Sequence, residues 1–509
     1  MSNCKILALP VDGRPVTREQ VQMLARIADC ELLCPPVNAL GHFRRPADRG
    51  SLVEWIARYA GEVQGFIISL DMLVYGGLVP SRFIDDEFES LSVRLKLLED
   101  LKRQYPDKPL YGFCATMRIS NNNENEEEKL YWAEYGTDLW AWSFHSDRFE
   151  CKGNRQDRER AEAFRNRIPE SVRRDYLDTR ARNFAITLRA LELVEQGVFD
   201  RLILPQDDTA EYGFNIAERR RLQQIVVERG LSDQVRIFPG ADEVVYTLLA
   251  HQLQRLGWLE PIRVALVLHH PEALGRMVAR YEDRPVLESI HCQVQAAGTE
   301  LVVDPQSADV LIAVNCRGPV QGDWAMQYPL EEDLGIDPQW LEKIQMILLR
   351  AEKPLALLDL AYANGGDPEL LVELESAAGL QNLCAYSGWN TASNSIGSLV
   401  AQLCAVAGYS VADAKGRHNR HLLATRLLDD YLYQARFRQT LRAQQSETQT
   451  SDGDPAALET LYLPMAQQWL RAHRFADVSL ESVYFPWSRS FEVGLHTALK
   501  PSAAGRRER

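Results

Sequence analysis

The sequence lacks an uninterrupted apolar run of the roughly 20 residues that a membrane-spanning helix needs. It also lacks a basic excess, since 57 lysines and arginines stand against 71 acidic residues, and the formal charge is -14. Nucleic-acid-binding faces are typically basic. We therefore expect neither a membrane nor a nucleic-acid partner.

The motifs of several common enzyme classes are absent as well. The chain has no GxxxxGK(S/T) loop, no GxGxxG turn, no HExxH helix and no GxSxG elbow. These absences argue against the usual nucleotide hydrolases, dinucleotide dehydrogenases, zincins and serine hydrolases. His269 and His270 are the only histidines at a predicted strand end, which gives poor support for a zinc site.

Nine cysteines are scattered along the chain, and several lie inside apolar runs. An odd and unclustered set is typical of reduced thiols in a protein core. The apolar run KILALP near the start predicts a strand and not a signal peptide. We expect a cytoplasmic protein.

Short apolar runs that end abruptly in polar residues recur along most of the length. Examples are CKILALPVDGRP, DRLILPQDDTAEYG and KPLALLDLAYANGGD, and stretches of helical period such as NFAITLRALELVEQG lie between such runs. Continuous apolar runs are typical of strands that are buried on both faces of a parallel sheet. The pattern predicts an α/β fold of successive strand-helix units with mainly parallel sheets, either incomplete and barrel-like or doubly wound.

Chain length predicts more than one domain. We assign residues 1–260 to an N-terminal α/β domain, residues 261–410 to a second α/β domain, and residues 411–509 to a mostly helical C-terminal region. Within that region the polar segment 443–456 is predicted to be a mobile loop, and the basic tail is predicted to be disordered.

Parallel α/β folds bind ligands beyond the carboxyl ends of their strands, so the polar residues after each run are the candidate site. Asp207 and Asp208 form the sharpest pair, because two close carboxylates push their pKa values apart and so supply one acid and one base. Asp242 and Glu243 form a second pair, although both residues also suit the start of a helix. These four are the candidate catalytic residues.

The other strand ends supply the candidate residues for substrate binding. Asparagines donate and accept hydrogen bonds, arginines bind hydroxyls or anions, and aromatic rings offer flat faces, which together suit a sugar. The candidates are Asp12, Arg14, Asp71, Tyr75, Arg82, Arg118, Asn121, Tyr362, Asn364, Asp367, Trp389, Asn390 and Asn394. The acid-rich and aromatic stretch that starts at Met117 is interpreted either as a solvated helix face or as a lid over this site.

Eight segments, in this order along nearly the whole chain, resemble the bacterial domain-of-unknown-function 4127 family. They are PVDGRPV, SLDMLVYGGLVPSR, the run from MRIS to YWAEYG, PQDDTAEYG, PGADEV, DLAYANGGD, SGWNTASNSIG and RLLDDYLYQAR. The resemblance implies a cytoplasmic bacterial protein, and it carries no activity with it. It also singles out Asp429, Asp430, Tyr433 and Arg436, which lie in an otherwise merely amphipathic helix.

Three functions follow from these patterns. The first is a carbohydrate-active hydrolase, most concretely a glycosidase that uses paired carboxyl groups on a small sugar substrate. The second is a hydrolase or transferase that holds magnesium or manganese on Asp12, Asp71, Asp207 or Asp208. The third is a small-molecule binding protein without catalysis. We expect no other cofactor, and the sequence is compatible with a homo-oligomer.

Overall fold

Two parallel β-sheets form the centre of the fold in a computed structural model, which describes residues 4–407, 413–448 and 455–501. The strands of the first sheet are β1 (Cys4–Leu9), β2 (Cys30–Leu33), β3 (Gly65–Ser69), β4 (Leu110–Phe113), β5 (Arg201–Gln206) and β6 (Val235–Pro239). Their order is β2-β1-β3-β4-β5-β6, and every neighbouring pair is parallel.

The second sheet repeats this strand order. The strands in this part of the chain are β7 (Arg263–Leu268), β8 (Glu300–Leu301), β9 (Val310–Asn315), β10 (Gly322–Asp323), β11 (Leu355–Asp359), β12 (Tyr362–Ala363) and β13 (Ala385–Ser387). Five of them form a parallel sheet of order β13-β11-β9-β7-β8, while β10 pairs with β12. Counted from β8, this order equals that of the first five strands of the first sheet, which is the doubly wound pattern.

Alternate residues of each strand pack into different hydrophobic cores, which explains the continuous apolar runs. In β5, Ile203 packs into one core, and its neighbours Leu202 and Leu204 pack into another. In β9, Ile312 and Leu311 divide in the same way. One of these cores contains residues of both sheets, so the two sheets are joined through shared apolar packing.

Helices cover both sheets. The helices before β7 are α1 (Glu19–Ile27), α2 (Arg49–Tyr59), α3 (Phe88–Ser92), α4 (Lys96–Gln104), α5 (Trp132–Lys152), α6 (Arg155–Arg167), α7 (Glu170–Glu195), α8 (Phe214–Glu228) and α9 (Val244–Arg255). Those after β7 are α10 (Pro271–Arg276), α11 (Val286–Ala296), α12 (Pro338–Arg350), α13 (Pro368–Ala377) and α14 (Ala392–Val406). Helices α9, α11 and α14 pack together between the sheets.

The C-terminal region consists of helices and one antiparallel hairpin. Its helices are α15 (Ala414–Arg426), a π-helical continuation (Leu427–Phe437), α16 (Arg438–Thr448), α17 (Pro455–Ala457), a further π-helical turn (Leu458–Tyr462) and α18 (Leu463–Ala472). The hairpin pairs β14 (Val478–Tyr484) with β15 (Gly494–Leu499). It was not predicted.

The predicted α/β fold with mainly parallel sheets and a mostly helical C-terminal region is confirmed. Of the two alternatives the doubly wound one is correct, because neither sheet closes into a barrel within the described residues. The first part of the predicted loop 443–456 belongs to helix α16, whereas its residues 449–454 lie outside the described residues, as do residues 502–509 of the predicted disordered tail. The domain boundaries stay a prediction. Within the described ranges, no helix is both long and apolar enough to cross a membrane.

Gly112 in β4 has no room for a side chain, because an added Cβ would overlap the ring of Phe199. We expect Gly112→Ala to lower the free energy of unfolding by about 1–3 kcal/mol, the usual cost of overpacking a core. Urea unfolding measures this loss. Combining the change with Phe199→Leu should recover part of it, and Gly275→Ala, where an added Cβ meets nothing within 4 Å, is the matched control. Equal losses at positions 112 and 275 would contradict the packing argument.

Candidate functional site

One cavity of about 1230 Å³ is lined by residues that follow strands of both sheets. Its charged lining residues are seven arginines and seven acids, and eight asparagines accompany them. The lining residues from strand ends are Arg14 after β1, Arg82 after β3, Arg118 after β4, Asp207 and Asp208 after β5, Asp242 after β6, Asn364 after β12, and Asn390 after β13. The position beyond the carboxyl ends of parallel strands is where α/β proteins bind ligands.

Arg14 is a buried guanidinium that three carboxylates hold. Its Nε donates to Asp12 Oδ2 at 2.9 Å, and its Nη1 lies 3.4 Å from Glu492 Oε1. Its Nη2 forms an ion pair with Asp242, and the ring of Trp487 lies 4.7 Å from the guanidinium carbon. Burial alone would lower the pKa of Arg14, but the three carboxylates outweigh burial and raise that pKa well above its ordinary value. Arg14 therefore stays charged.

Asp242 combines burial with a pKa close to neutrality. Burial raises the pKa of its carboxyl group to about 7, with Arg14 opposing the shift and nearby Asp207 adding to it. The amide of Asn390 donates to Asp242 Oδ2 at 3.2 Å, and the main-chain N–H of Asp242 donates to Asn394 Oδ1 at 3.1 Å. Asn390 and Asn394, which follow β13 of the second sheet, thus position Asp242, which follows β6 of the first sheet. With a pKa of about 7, Asp242 is partly protonated at neutral pH.

Asp207 and Asp208 are adjacent, but each is paired with its own arginine. Arg82 Nη2 donates to Asp207 Oδ2 at 2.7 Å, and Arg118 Nη1 donates to Asp208 Oδ2 at 2.9 Å. Burial raises the pKa of Asp208 to about 6, with Arg118 opposing the shift and Asp207 adding to it. The side chain of Asp208 keeps 27% of its surface exposed, so a ligand in the cavity can reach it.

Residues 121–127 form one wall of the cavity. The wall is fixed by Glu127, whose carboxylate pairs with Arg82 at 3.1 Å, with Arg118 at 2.9 Å and with Arg489 at 2.7 Å. Burial alone would raise the pKa of Glu127, but these arginines hold it well below its ordinary value. The stretch that starts at Met117 is interpreted as a lid or a solvated helix face, and residues 121–127 of it line the cavity.

Four cavity residues adopt the left-handed backbone conformation that side chains rarely favour. They are Asp208 with φ 38°, Tyr281 with φ 66°, Asn364 with φ 61° and Asn390 with φ 57°. Asparagine and aspartate tolerate this region better than other residues do, whereas a tyrosine there is unusual. Strained residues that gather in one cavity are a mark of functional sites.

Several other predicted site residues lie outside the cavity lining. Asp12 accepts a hydrogen bond from Arg14, and the ring of Trp389 lies 6.0 Å from the guanidinium carbon of Arg14. Asp71 accepts a hydrogen bond from the main chain of Ala115. Other predicted residues have structural contacts of their own: Tyr75 is buried, Tyr362 stacks on Trp324, Asp367 caps α13, and Glu243 packs behind the cavity against Gln293. Asn121 and Asn394 do line the cavity.

A family model described as a protein of unknown function (DUF4127) matches residues 6–496. The chain belongs to the DUF4127 family. The comparison with curated proteins found no match. Every cavity residue lies inside the matched range, so the whole site belongs to the part of the chain that defines this DUF4127 protein.

Asp429 and Asp430, which the family resemblance singled out, lie in the π-helical segment and not in the cavity. Asp430 Oδ2 accepts a hydrogen bond from the main chain of Gly388 at 2.9 Å and pairs with Arg426 at 2.8 Å. The main-chain oxygen of Asp430 accepts from Gly366. These bonds hold the loops after β12 and β13, so the segment positions the asparagine-bearing loops of this DUF4127 protein. Tyr433 donates to Ser490 O, and Arg436 donates to the hydroxyl of Tyr431.

Sequence reasoning missed a group of cavity residues in the second half of the chain. They are Arg280, Tyr281, Tyr328, Arg438, Arg442, Trp487, Arg489 and Phe491. Trp487, Arg489 and Phe491 lie in the loop between β14 and β15. A signal was present, because FPWSRSFE mixes aromatic and charged residues between two runs of alternating polarity.

Glu243 predicts a pH dependence of stability. Burial raises the pKa of its carboxyl group from its ordinary value of 4.5 to about 8, so between these values the native state holds a proton that the unfolded state has lost. The contribution of Glu243 to stability is therefore present below pH 4.5 and lost as the pH rises toward 8. Glu243→Gln, which keeps an acceptor for Gln293, should exceed the wild type in unfolding free energy at pH 8 by more than about 1 kcal/mol.

Urea unfolding of both proteins across this pH range measures the difference. Glu162→Gln, at a side chain that is 61% exposed, is the control and should leave the profile unchanged. A Glu243→Gln profile parallel to that of the wild type would show that Glu243 does not take up a proton on folding.

Proposed function

We propose that this DUF4127 protein is a carbohydrate-active hydrolase, most concretely a glycosidase that uses Asp208 and Asp242 in acid-base catalysis. The observation that carries the proposal is the pair of carboxyl groups in one cavity, with pKa values raised to about 6 and about 7. Glycosidases use two carboxyl groups, of which one is protonated and one is ionised at the working pH.

The two roles are assigned from burial, because the side chain of Asp242 is 6% exposed, which favours the protonated form, whereas that of Asp208 is 27% exposed. Protonated Asp242 would donate its proton to the leaving-group oxygen as the glycosidic bond breaks. Ionised Asp208 would stabilise positive charge on the sugar ring and accept a proton from the attacking water. One water molecule is consumed, and solvent returns both carboxyl groups to their starting states. Asp207 takes no direct part in either proton transfer, but its charge raises the pKa of Asp208 and of Asp242.

The rest of the cavity supports a polyhydroxylated ligand. Eight asparagines can both donate to and accept from hydroxyl groups. Aromatic rings that can stack on a sugar face come from both halves of the chain: Trp140, Tyr212, Tyr281, Tyr328, Trp487 and Phe491. A mostly apolar ligand would find few partners in such a lining.

The metal-dependent alternative has weaker support. Asp207, Asp208 and Asp242 are each engaged by an arginine, and a cation at these oxygens would have to displace it. Among the described residues, no three histidine, cysteine or acidic side chains are grouped so that they could hold a metal ion.

A screen of aryl glycosides and oligosaccharides, run with and without a chelator, tests the proposal. We expect hydrolysis of at least one glycoside, at the same rate in chelator. Activity that the chelator abolishes and that magnesium or manganese restores would favour the metal-dependent hydrolase. Saturable sugar binding without any hydrolysis would favour a binding protein.

A further inference from the structure

Two of the seven cavity arginines differ from the four that form ion pairs with carboxylates. Arg14, Arg82, Arg118 and Arg489 each contact at least two carboxylates, so their charges are neutralised within the protein. By contrast, Arg280 and Arg442 also line the cavity, and neither has a carboxylate partner among the described residues. The lining therefore has one side whose arginines are paired with carboxylates and which carries the proposed catalytic groups, and another side where Arg280 and Arg442 form no ion pair with a described residue.

Both arginines are fixed to the same short segment, residues 321–325. The Nε of Arg280 donates to the main-chain oxygen of Gln321 at 2.7 Å, and its guanidinium carbon lies 4.6 Å from the ring centre of Tyr328. The Nη1 of Arg442 donates to the main-chain oxygens of Ala325 at 2.5 Å and of Trp324 at 3.2 Å. These carbonyl groups position the side chains without neutralising their charge.

The anchoring leaves nitrogens for a ligand. Nη1 and Nη2 of Arg280 and Nε and Nη2 of Arg442 donate to no acceptor among the described residues. A fixed guanidinium with free N–H groups in a recessed cavity favours an anion, because charge-assisted hydrogen bonds are the stronger ones.

We propose that Arg280 and Arg442 form a subsite for an anionic substituent of the substrate: a carboxylate, a sulfate ester or a phosphate ester. The natural substrate is then an acidic sugar. Its charged group lies at the arginines, and its scissile bond lies near Asp208 and Asp242. The sugar part of this inference rests on the proposed function, whereas the anion subsite stands on the arginine contacts alone.

Calorimetric binding of four matched probes tests the subsite. D-glucose is the neutral probe, and D-glucuronate and the phosphate and sulfate monoesters of glucose at its primary hydroxyl place an anion at the same carbon. We expect at least one anionic probe to bind about tenfold more tightly than glucose. Arg280→Gln and Arg442→Gln should each remove about tenfold of its affinity and leave glucose binding unchanged. The preferred anion identifies the source of the negative charge.

Arg155→Gln is the control for a lost positive charge, since that side chain is 90% exposed on α6. Equal affinities for glucose and for all three anionic probes would overturn the proposal, as would an undetectable affinity for every anionic probe. Unchanged anion binding in both cavity variants would overturn it too. The wild type separates the two proposals, because anion selectivity without hydrolysis of any glycoside by the wild type contradicts the glycosidase and not the subsite.

Discussion

Asp208→Asn should lower kcat for the hydrolysed glycoside by a factor of about 10²–10⁴ and change KM little, because it removes an acid-base group and keeps the shape of the site. The backbone tolerates the change, since asparagine adopts the left-handed conformation of this position as readily as aspartate does. The amide oxygen can still accept the hydrogen bond from Arg118. Steady-state kinetics with retained ligand affinity checks this prediction.

The control for this variant is an aspartate just before the same strand. Asp200 immediately precedes β5 at the opposite edge of the sheet, where it pairs with Lys102 and Arg255, so Asp200→Asn should keep the wild-type kcat. If the proposed roles hold, the activity of the wild type falls below pH 6, where Asp208 gains a proton, and above pH 7, where Asp242 loses one. Asp208→Asn should abolish the lower limb. A kcat within a few-fold of the wild type would remove Asp208 from the mechanism.

Arg14→Met should lower the free energy of unfolding by about 3–5 kcal/mol, the usual cost of breaking a buried ion pair by removing one partner. The variant keeps much of the side-chain volume but leaves the carboxylates of Asp12, Asp242 and Glu492 facing one another without a counter-charge. Protonation relieves this repulsion, so the loss should shrink as the pH falls below neutrality. Urea unfolding at several pH values measures both effects.

The same substitution at an exposed arginine is the reference for this loss. Arg155→Met should change the unfolding free energy by less than about 0.5 kcal/mol, because exposed ion pairs contribute little. If Arg14→Met were as mild as that, the three carboxylates would not depend on Arg14. The site would then not be a network that this guanidinium holds together.

The sheets could be predicted from the sequence because strands buried on both faces leave a strong pattern. The run RLILPQ contains no polar side chain between Arg201 and Gln206, and its residues alternate between two cores. Whether the sheet closes into a barrel or stays open is decided by pairing between strands that are distant in the sequence. A single apolar run carries no information on that pairing. The hairpin of β14 and β15 was missed because its strands lie within a region rich in helices.

The candidate site could be predicted only in part. Strand-end position brought Asp207, Asp208 and Asp242 into the candidate set, and all three line the cavity. Strand-end position could not show that Asp242 lines the cavity and Glu243 does not. The two residues are adjacent, but the side chain of Glu243, at the N-terminus of α9, is buried against Gln293. The contact of Arg14 with Glu492 spans 478 residues, so no local pattern could indicate it.

Hydrolysis in isotopically labelled water tests the central claim most directly. Wild-type protein and the Asp208→Asn/Asp242→Asn double variant are incubated with the same glycoside library, and the products are weighed by mass spectrometry. We predict that the wild type releases a free sugar that carries one labelled oxygen, and that the double variant releases none. Label-free products, equal release by both proteins, or no cleavage of any glycoside by the wild type would contradict the account.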